Sequence, residues 1–189
     1  YFQAVTSPIT ASNNLFGGTG VNTALRLHLC SNQIIGDENA SPAANILIKD
    51  TEGLTSINGG DNVIYATSCS GLTFDNLDVS KASGGQNGTG INMSNSSGAM
   101  TVKNCKATKR AMGLNCHGNA NWTVTGNDLT SSGVNLEAPA LYFQAVTSPI
   151  TASNNLFGGT GANTALRLHI CSNQIIGDEN ASPAANILI

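Results

Sequence analysis

Six residues have types and spacing suited to holding a sugar: Arg26, His28, Lys49, Tyr65, Asn92 and Asn115. Each falls on the outward place of a short apolar stretch, in "ALRLHL", "NILIK", "VIYAT", "GINM" and "GLNC". A cation there suits a uronate, and amides and a phenol suit hydroxyls. No carboxylate stands among them. Glycoside hydrolysis needs two acids flanking the bond. Calcium-assisted elimination needs several carboxylate oxygens on one cation and a base to take the proton. The row therefore suggests contact without catalysis, and Arg26, His28 and Lys49 read first as a solvated basic patch.

Acids lie elsewhere, at Asp37, Glu38, Asp61, Asp75, Asp78 and Asp128, without the Gly-rich nonapeptide spacing of calcium-binding solenoids. Asp75 is expected to pair with Lys103 on the surface. Cys30, Cys69, Cys105 and Cys116 contain no CxxC. Cys116 aligns with Met93 and Phe143, and Cys105 with Leu77, so both read as small buried apolar groups. Cys30 and Cys69 fall on alternate units, and a bridge between them would need a different register. No metal or cofactor is expected.

The elements that must position these residues emerge from repetition. The stretch "YFQAVTSPITASNNLFGGTG" at residues 1–20 recurs from Tyr142, and the identity runs to residue 189 with Val21/Ala162 and Leu29/Ile170 the two differences over 48 positions. Residues 1–141 thus form one full repeat, and 142–189 begin a near-identical second that continues it. Within the repeat lies a shorter period. "ITASN", "LTSIN", "LTFDN", "MTVKN" and "WTVTG" share an apolar residue, Thr, two variable places and then Asn or Gly, and "NQIIG" supplies a sixth member. The closing residues are Asn13, Gly36, Asn58, Asn76, Asn104, Gly126, Asn154 and Gly177. Asn and Gly tolerate the left-handed backbone region, so a sharp bend is expected once per unit.

Alternating apolar and polar residues on either side of the bend predict short half-buried strands. In the second strand family Leu25, Ile46, Ile64, Ile91, Leu114 and Leu141 align. Ile35 and Ile57 are expected to face outward on adjacent units as an apolar seam for lateral contact. A unit of about 23 residues, about six to the 141-residue repeat, predicts an all-β parallel β-helix whose coils bury their inner face by stacking.

These strands, with their Asn column, resemble the right-handed parallel β-helices of the pectate-lyase-like superfamily. The resemblance implies an Asn ladder at the bend between the second and third strands and a groove along an exposed strand face. It says little of activity, because one scaffold serves many functions.

Composition narrows the classes. Only 10% of residues are charged, 40% are hydrophobic and the net charge is −3. Such a chain folds and offers no basic footprint for nucleic acid. No apolar run approaches a membrane span. Near-identical copies suit a filament in which every interface is the same, and "ANILI" at the end of the chain is expected to present an edge to a following coil. The expected function is an extracellular or cell-surface fibre or stalk, self-associating end to end, with adhesion compatible. The alternative is a β-helix that binds or degrades polysaccharide, using Arg26, Lys49, Tyr65, Asn92 and Asn115.

Overall fold

In a computed structural model the chain is all-β. The structure describes residues 1–15, 23–50, 54–55, 62–82, 86–180 and 182–188, with backbone alone at 13, 15, 49 and 50. Asn58 and Ile57 lie outside the described residues, as does the Lys49 side chain.

One sheet contains seven strands in the order β1 (Phe2–Gln3), β3 (Leu25–His28), β6 (Asn62–Thr67), β8 (Thr89–Ser94), β10 (Met112–His117), β12 (Leu141–Gln144) and β14 (Leu166–His169). The other contains nine, in the order β15 (Ile176–Gly177), β16 (Ile187–Leu188), β13 (Thr151–Ser153), β11 (Asn121–Thr125), β9 (Ala99–Lys103), β7 (Thr73–Asp75), β4 (Ile34–Gly36), β5 (Ile46–Asp50) and β2 (Ala11–Leu15). Every pair of named strands is parallel. A third, shorter parallel line joins Asp78, Lys106, Asp128 and Leu156 by single bridges.

Alternation along the strands builds the core. Leu25, Ile64, Ile91, Leu114 and Leu141 stand in one buried row, and Leu27, Ala66, Met93, Cys116 and Phe143 in the next. From the nine-stranded sheet Ile35, Phe74, Val102, Val124 and Ala152 face them. Trp122 meets Phe143 edge-on, with ring centres 6.5 Å apart. Burial of such side chains is each worth about 1.5 to 3 kcal/mol, and none of these rows is buried until the neighbouring strand covers it.

Ile46 departs from the expected register. It sits on β5 in the nine-stranded sheet, between Ala11 and Ile35, so Leu25 pairs directly with Ile64. Successive residues of that inward row are therefore separated by 39, 27, 23, 27 and 25 residues. Among the described residues, one 141-residue repeat supplies five strands to the first sheet and six to the second. The additional strand recurs in the second copy, where β16 lies between β13 and β15.

A buried amide pair holds that strand. Gln33 is wholly buried, and its Oε1 accepts from the Ile9 amide (2.8 Å) and from Asn45 Nδ2 (2.7 Å). Its Nε2 donates to the carbonyls of Ser7 (2.9 Å) and Ser31 (2.6 Å). Asn45 in turn accepts from the Ile34 amide at 2.6 Å and donates to the Ile9 carbonyl. Gln174 and Asn186 repeat the arrangement. It is Ile34 that stands opposite Thr73 of the next unit, so Gln33 falls one place before the Thr column, where its buried amide serves this network.

The register around β4 also differs by one from the expected column. Ile34 pairs with Thr73, Ile35 with Phe74 and Gly36 with Asp75. Ile35 therefore points into the core, fully buried, and is not a lateral contact. Gly36 and Gly177 are strand residues rather than bends. At Gly36 the requirement is space, since a Cβ would meet Ala40 Cβ and the Asp75 carbonyl, each at 2.6 Å. The expected bend is present at Asn76, Asn104, Gly126 and Asn154, with φ of 56°, 55°, 66° and 55°.

Candidate functional site

Strand register places Arg26, Tyr65, Asn92, Asn115, Tyr142 and Arg167 on successive rungs of one outward row of the seven-stranded sheet. Four of the five expected sugar contacts are thus brought together. Lys49 is not, because β5 belongs to the other sheet. The row is tied laterally: Asn115 Nδ2 donates to Asn92 Oδ1, and Asn92 Nδ2 to Asn62 Oδ1, both at 2.8 Å. The Ser94 hydroxyl meets the Tyr65 hydroxyl at 3.3 Å. Asn115 Oδ1 is shielded from water and has no hydrogen-bond partner. No acid stands in the row, and among the described residues no group of three His, Cys, Asp or Glu is placed to hold a metal ion.

The guanidinium of Arg26 lies between two aromatic rings, 5.3 Å from the centre of Tyr1 and 5.5 Å from that of Tyr65. Both contacts are cation–π stacking. Beside them opens a cleft of about 560 Å³ lined by Tyr1, Thr23, Arg26, Asn62, Tyr65 and Asn92. The second copy presents the same pair differently. Arg167 stacks on Tyr142 at 5.1 Å, while its Nη1 meets Glu137 Oε2 at 2.7 Å and the Leu136 carbonyl at 2.8 Å. The Glu137 hydrogen bond raises the Arg167 pKa above its usual value. Tyr142 is 8% exposed where Tyr1 is 67% exposed, and its hydroxyl meets His169 Nδ1 at 2.9 Å. At the equivalent of the cleft the turn around Asn135–Ala138 of the first copy reaches the second copy's Arg167, the cation stacked on Tyr142. The stretch that stays open beyond it is Tyr65, Asn92 and Asn115.

The passage from one copy to the next is an ordinary stretch of both sheets. Asn115 pairs with Tyr142 and Cys116 with Phe143 in one, and Thr123 with Thr151 in the other. Loops add backbone bonds across it, from Asn163 to the Gly133 carbonyl (2.7 Å) and from Ala140 to the Thr164 carbonyl (2.8 Å).

The side chains at the bends do not stack on one another as a simple ladder. Asn104 Nδ2 reaches Asp75 Oδ1 (3.0 Å) and Asn76 Nδ2 reaches Asp37 Oδ2 (2.8 Å). An inward amide ladder lies one residue later, where Asn127, fully buried, donates to Asn155 Oδ1 at 2.9 Å and accepts from the Cys105 amide. Its signal was present in the second residue of "GN" and "NN". Asp75 and Lys103 do pair, at 3.4 Å. The pair is not a surface one, however: Asp75 is 2% exposed, bonded by the Ser41 amide (2.7 Å), and Lys103 reaches the Ser41 carbonyl. Cys105 and Cys116 are buried among apolar side chains as expected, and burial pushes the Cys105 thiol up to about 12.

Among known proteins the chain matches no family model, no curated protein and no solved structure. Among the described residues no helix is long and apolar enough to cross a membrane.

Proposed function

We propose that the chain is part of an extracellular or cell-surface fibre or stalk, built from tandem 141-residue repeats stacked end to end as a continuous parallel β-helix of the pectate-lyase-like kind. The observation that carries this reading is the junction between copies. Its strand pairs are in the same parallel register as pairs within a copy, and Glu137 of one copy closes on Arg167 of the next. A third copy has the same surface to add to, so contact of this heterologous kind extends without closing. The test is to express one, two and four repeats and image them by electron microscopy. Unbranched rods that lengthen by about 24 to 29 Å per repeat, five or six rungs of roughly 4.8 Å, support the reading. Repeats that fold as separate beads with no fixed length increment refute it.

The open row of Tyr65, Asn92 and Asn115 favours a second reading, that the rod's exposed sheet holds glycan along its length. The cleft beside Tyr65 and Asn92 supplies the space, and the phenol and the amide supply partners for sugar hydroxyls. Calorimetric titration with neutral and acidic polysaccharides tests it, and equal binding by Tyr65→Ala and the unaltered protein would remove it.

A further inference from the structure

We propose that Cys30 and Cys69 are a disulfide site within each repeat. The corrected register carries the argument. His28 pairs with Thr67 on one side and Ser31 with Ser70 on the other, which sets Cys30 beside Cys69 on adjacent rungs. The Leu29 amide bonds the Thr67 carbonyl and the Ser70 amide the Cys30 carbonyl, both at 3.1 Å, so the backbone is pinned on either side of the pair. Parallel neighbours lie about 4.8 Å apart, inside the Cα separation of about 4.4 to 6.8 Å that a disulfide spans.

Both thiols are free and buried, and both donate back along their own strand, Cys30 Sγ to the His28 carbonyl (3.4 Å) and Cys69 Sγ to the Thr67 carbonyl (3.3 Å). The sulfurs thus project from the same side of neighbouring rungs. Burial pushes the Cys69 thiol up, the Cys30 backbone amide pulls it back, and the Cys30 sulfur pushes it up again, as expected of close neighbours. The other cysteines lack such a partner: Cys116 pairs with Met93 and Phe143, and Cys105 faces Asn127. Cys171, the copy of Cys30, lies beside Val146. The bridge closes the 39-residue span that contains the additional strand β5, the longest excursion between rungs of the seven-stranded sheet.

The oxidant is a small disulfide such as oxidised glutathione. One cysteine thiolate attacks it and expels a glutathione thiolate; the second then attacks the mixed disulfide, forming the Cys30–Cys69 bond and expelling the other glutathione. Two cysteine thiols lose two protons and two electrons, and one glutathione disulfide becomes two thiols. Because both cysteines are buried once folded, the exchange takes place before the coil closes.

The experiment is refolding of the 189-residue chain in oxidised glutathione or in dithiothreitol, followed by alkylation in denaturant and mass spectrometry. All five cysteines alkylate after dithiothreitol. After oxidation only Cys105, Cys116 and Cys171 should alkylate, with the Cys30 and Cys69 peptides linked and lighter by two hydrogens. The bridged form should melt about 10 °C above the reduced form, from the loop length closed. Cys105→Ser should leave the link intact. Alkylation of all five after oxidation, or a link that uses any of the other three in place of Cys30 or Cys69, overturns the proposal. Because thiols are counted in denaturant on the unaltered chain, the result does not depend on a variant folding, and it stands or falls separately from the fibre reading.

Discussion

Replacing Gln33 with alanine removes the centre of the amide network that holds β5. The substitution strands two half-buried donors beside the wholly buried Gln33 position: the Ile9 amide and one hydrogen of Asn45 Nδ2. The second Asn45 hydrogen retains the Ile9 carbonyl, and the Ser7 carbonyl, on an exposed residue, regains water. Two stranded donors cost about 1 to 3 kcal/mol each. With the truncated side chain the expected loss is about 3 to 5 kcal/mol, a large share of a total of about 5 to 15. Urea denaturation at constant m measures it. Asn45→Ala should cost a similar amount, and the double variant should cost at least about 1 kcal/mol less than the sum, because either change alone disables the shared bond. Gln174→Ala supplies a comparison: Gln174 is partly exposed where Gln33 is wholly buried, so its truncation removes less buried contact and the loss should be smaller, although the Ile150 amide it serves is itself on a buried residue. A Gln33→Ala loss below about 0.5 kcal/mol, or strict additivity with Asn45→Ala, would refute the argument that this pair holds the strand.

Leu29 has φ of 54° and is 48% exposed, so Leu29→Gly should stabilise by about 0.5 to 1 kcal/mol in the same titration, as relief of the left-handed backbone exceeds the lost packing. Asn104→Val forces a β-branched residue into φ of 55° and removes the bond to Asp75; calorimetry should show a loss of about 1 to 3 kcal/mol. The Cys105 thiol, with its folded pKa pushed from 9 to about 12, contributes stability that is complete below about pH 9 and is lost as pH rises toward 12, at about 1.4 kcal/mol per unit. Urea midpoints between pH 8 and 10.5 should fall less steeply in Cys105→Ala. Rods of several repeats should curve with the nine-stranded sheet outermost, since that sheet gains one more rung per repeat; straight rods in electron micrographs would mean that the extra rung is absorbed locally.

What the sequence made legible was set by which residues carry a backbone signature. The bends at Asn76, Asn104, Gly126 and Asn154 could be read because Asn and Gly are the residues that favour φ > 0. A second series of left-handed bends follows the strands of the seven-stranded sheet, at Ala4, Leu29, Ser68, Asn95, Gly118, Ala145 and Ile170. It was illegible because neighbouring hydrogen bonds, not residue type, impose it: the Leu29 amide bonds Thr67 and that of Ala145 bonds His169. Alternation placed the outward row of Arg26, Tyr65, Asn92 and Asn115 correctly, since a period of two survives any error in counting rungs. It failed for Ile35 because a shift of one residue exchanges the faces of a strand. Ile46 was assigned to the wrong sheet because "NILI" alternates as the other strands do, and alternation does not say which sheet a strand joins.

The unevenness of the units accounts for the length of the repeat. If all coils were alike, one coil of about 23 residues would suffice as the copied unit, and the array would show that short period with high identity. Instead the separations run from 23 to 39 residues, and the strand order is broken at one place only among the described residues of each copy. There Gln33 needs Asn45, Ile9, Ser7 and Ser31, partners drawn from segments up to 26 residues away. A copy of a single coil would separate Gln33 from those partners and bury unpaired amides, whereas a copy of all 141 residues carries the whole network with it. The second copy bears this out atom for atom at its centre, with Gln174 Oε1 accepting from the Ile150 amide at 2.9 Å and from Asn186 Nδ2 at 2.7 Å. Near-identity between the copies therefore keeps this network whole: the segments from Ser7 to Asn45 that meet at β5 must be copied together, whatever the diversity of the other coils.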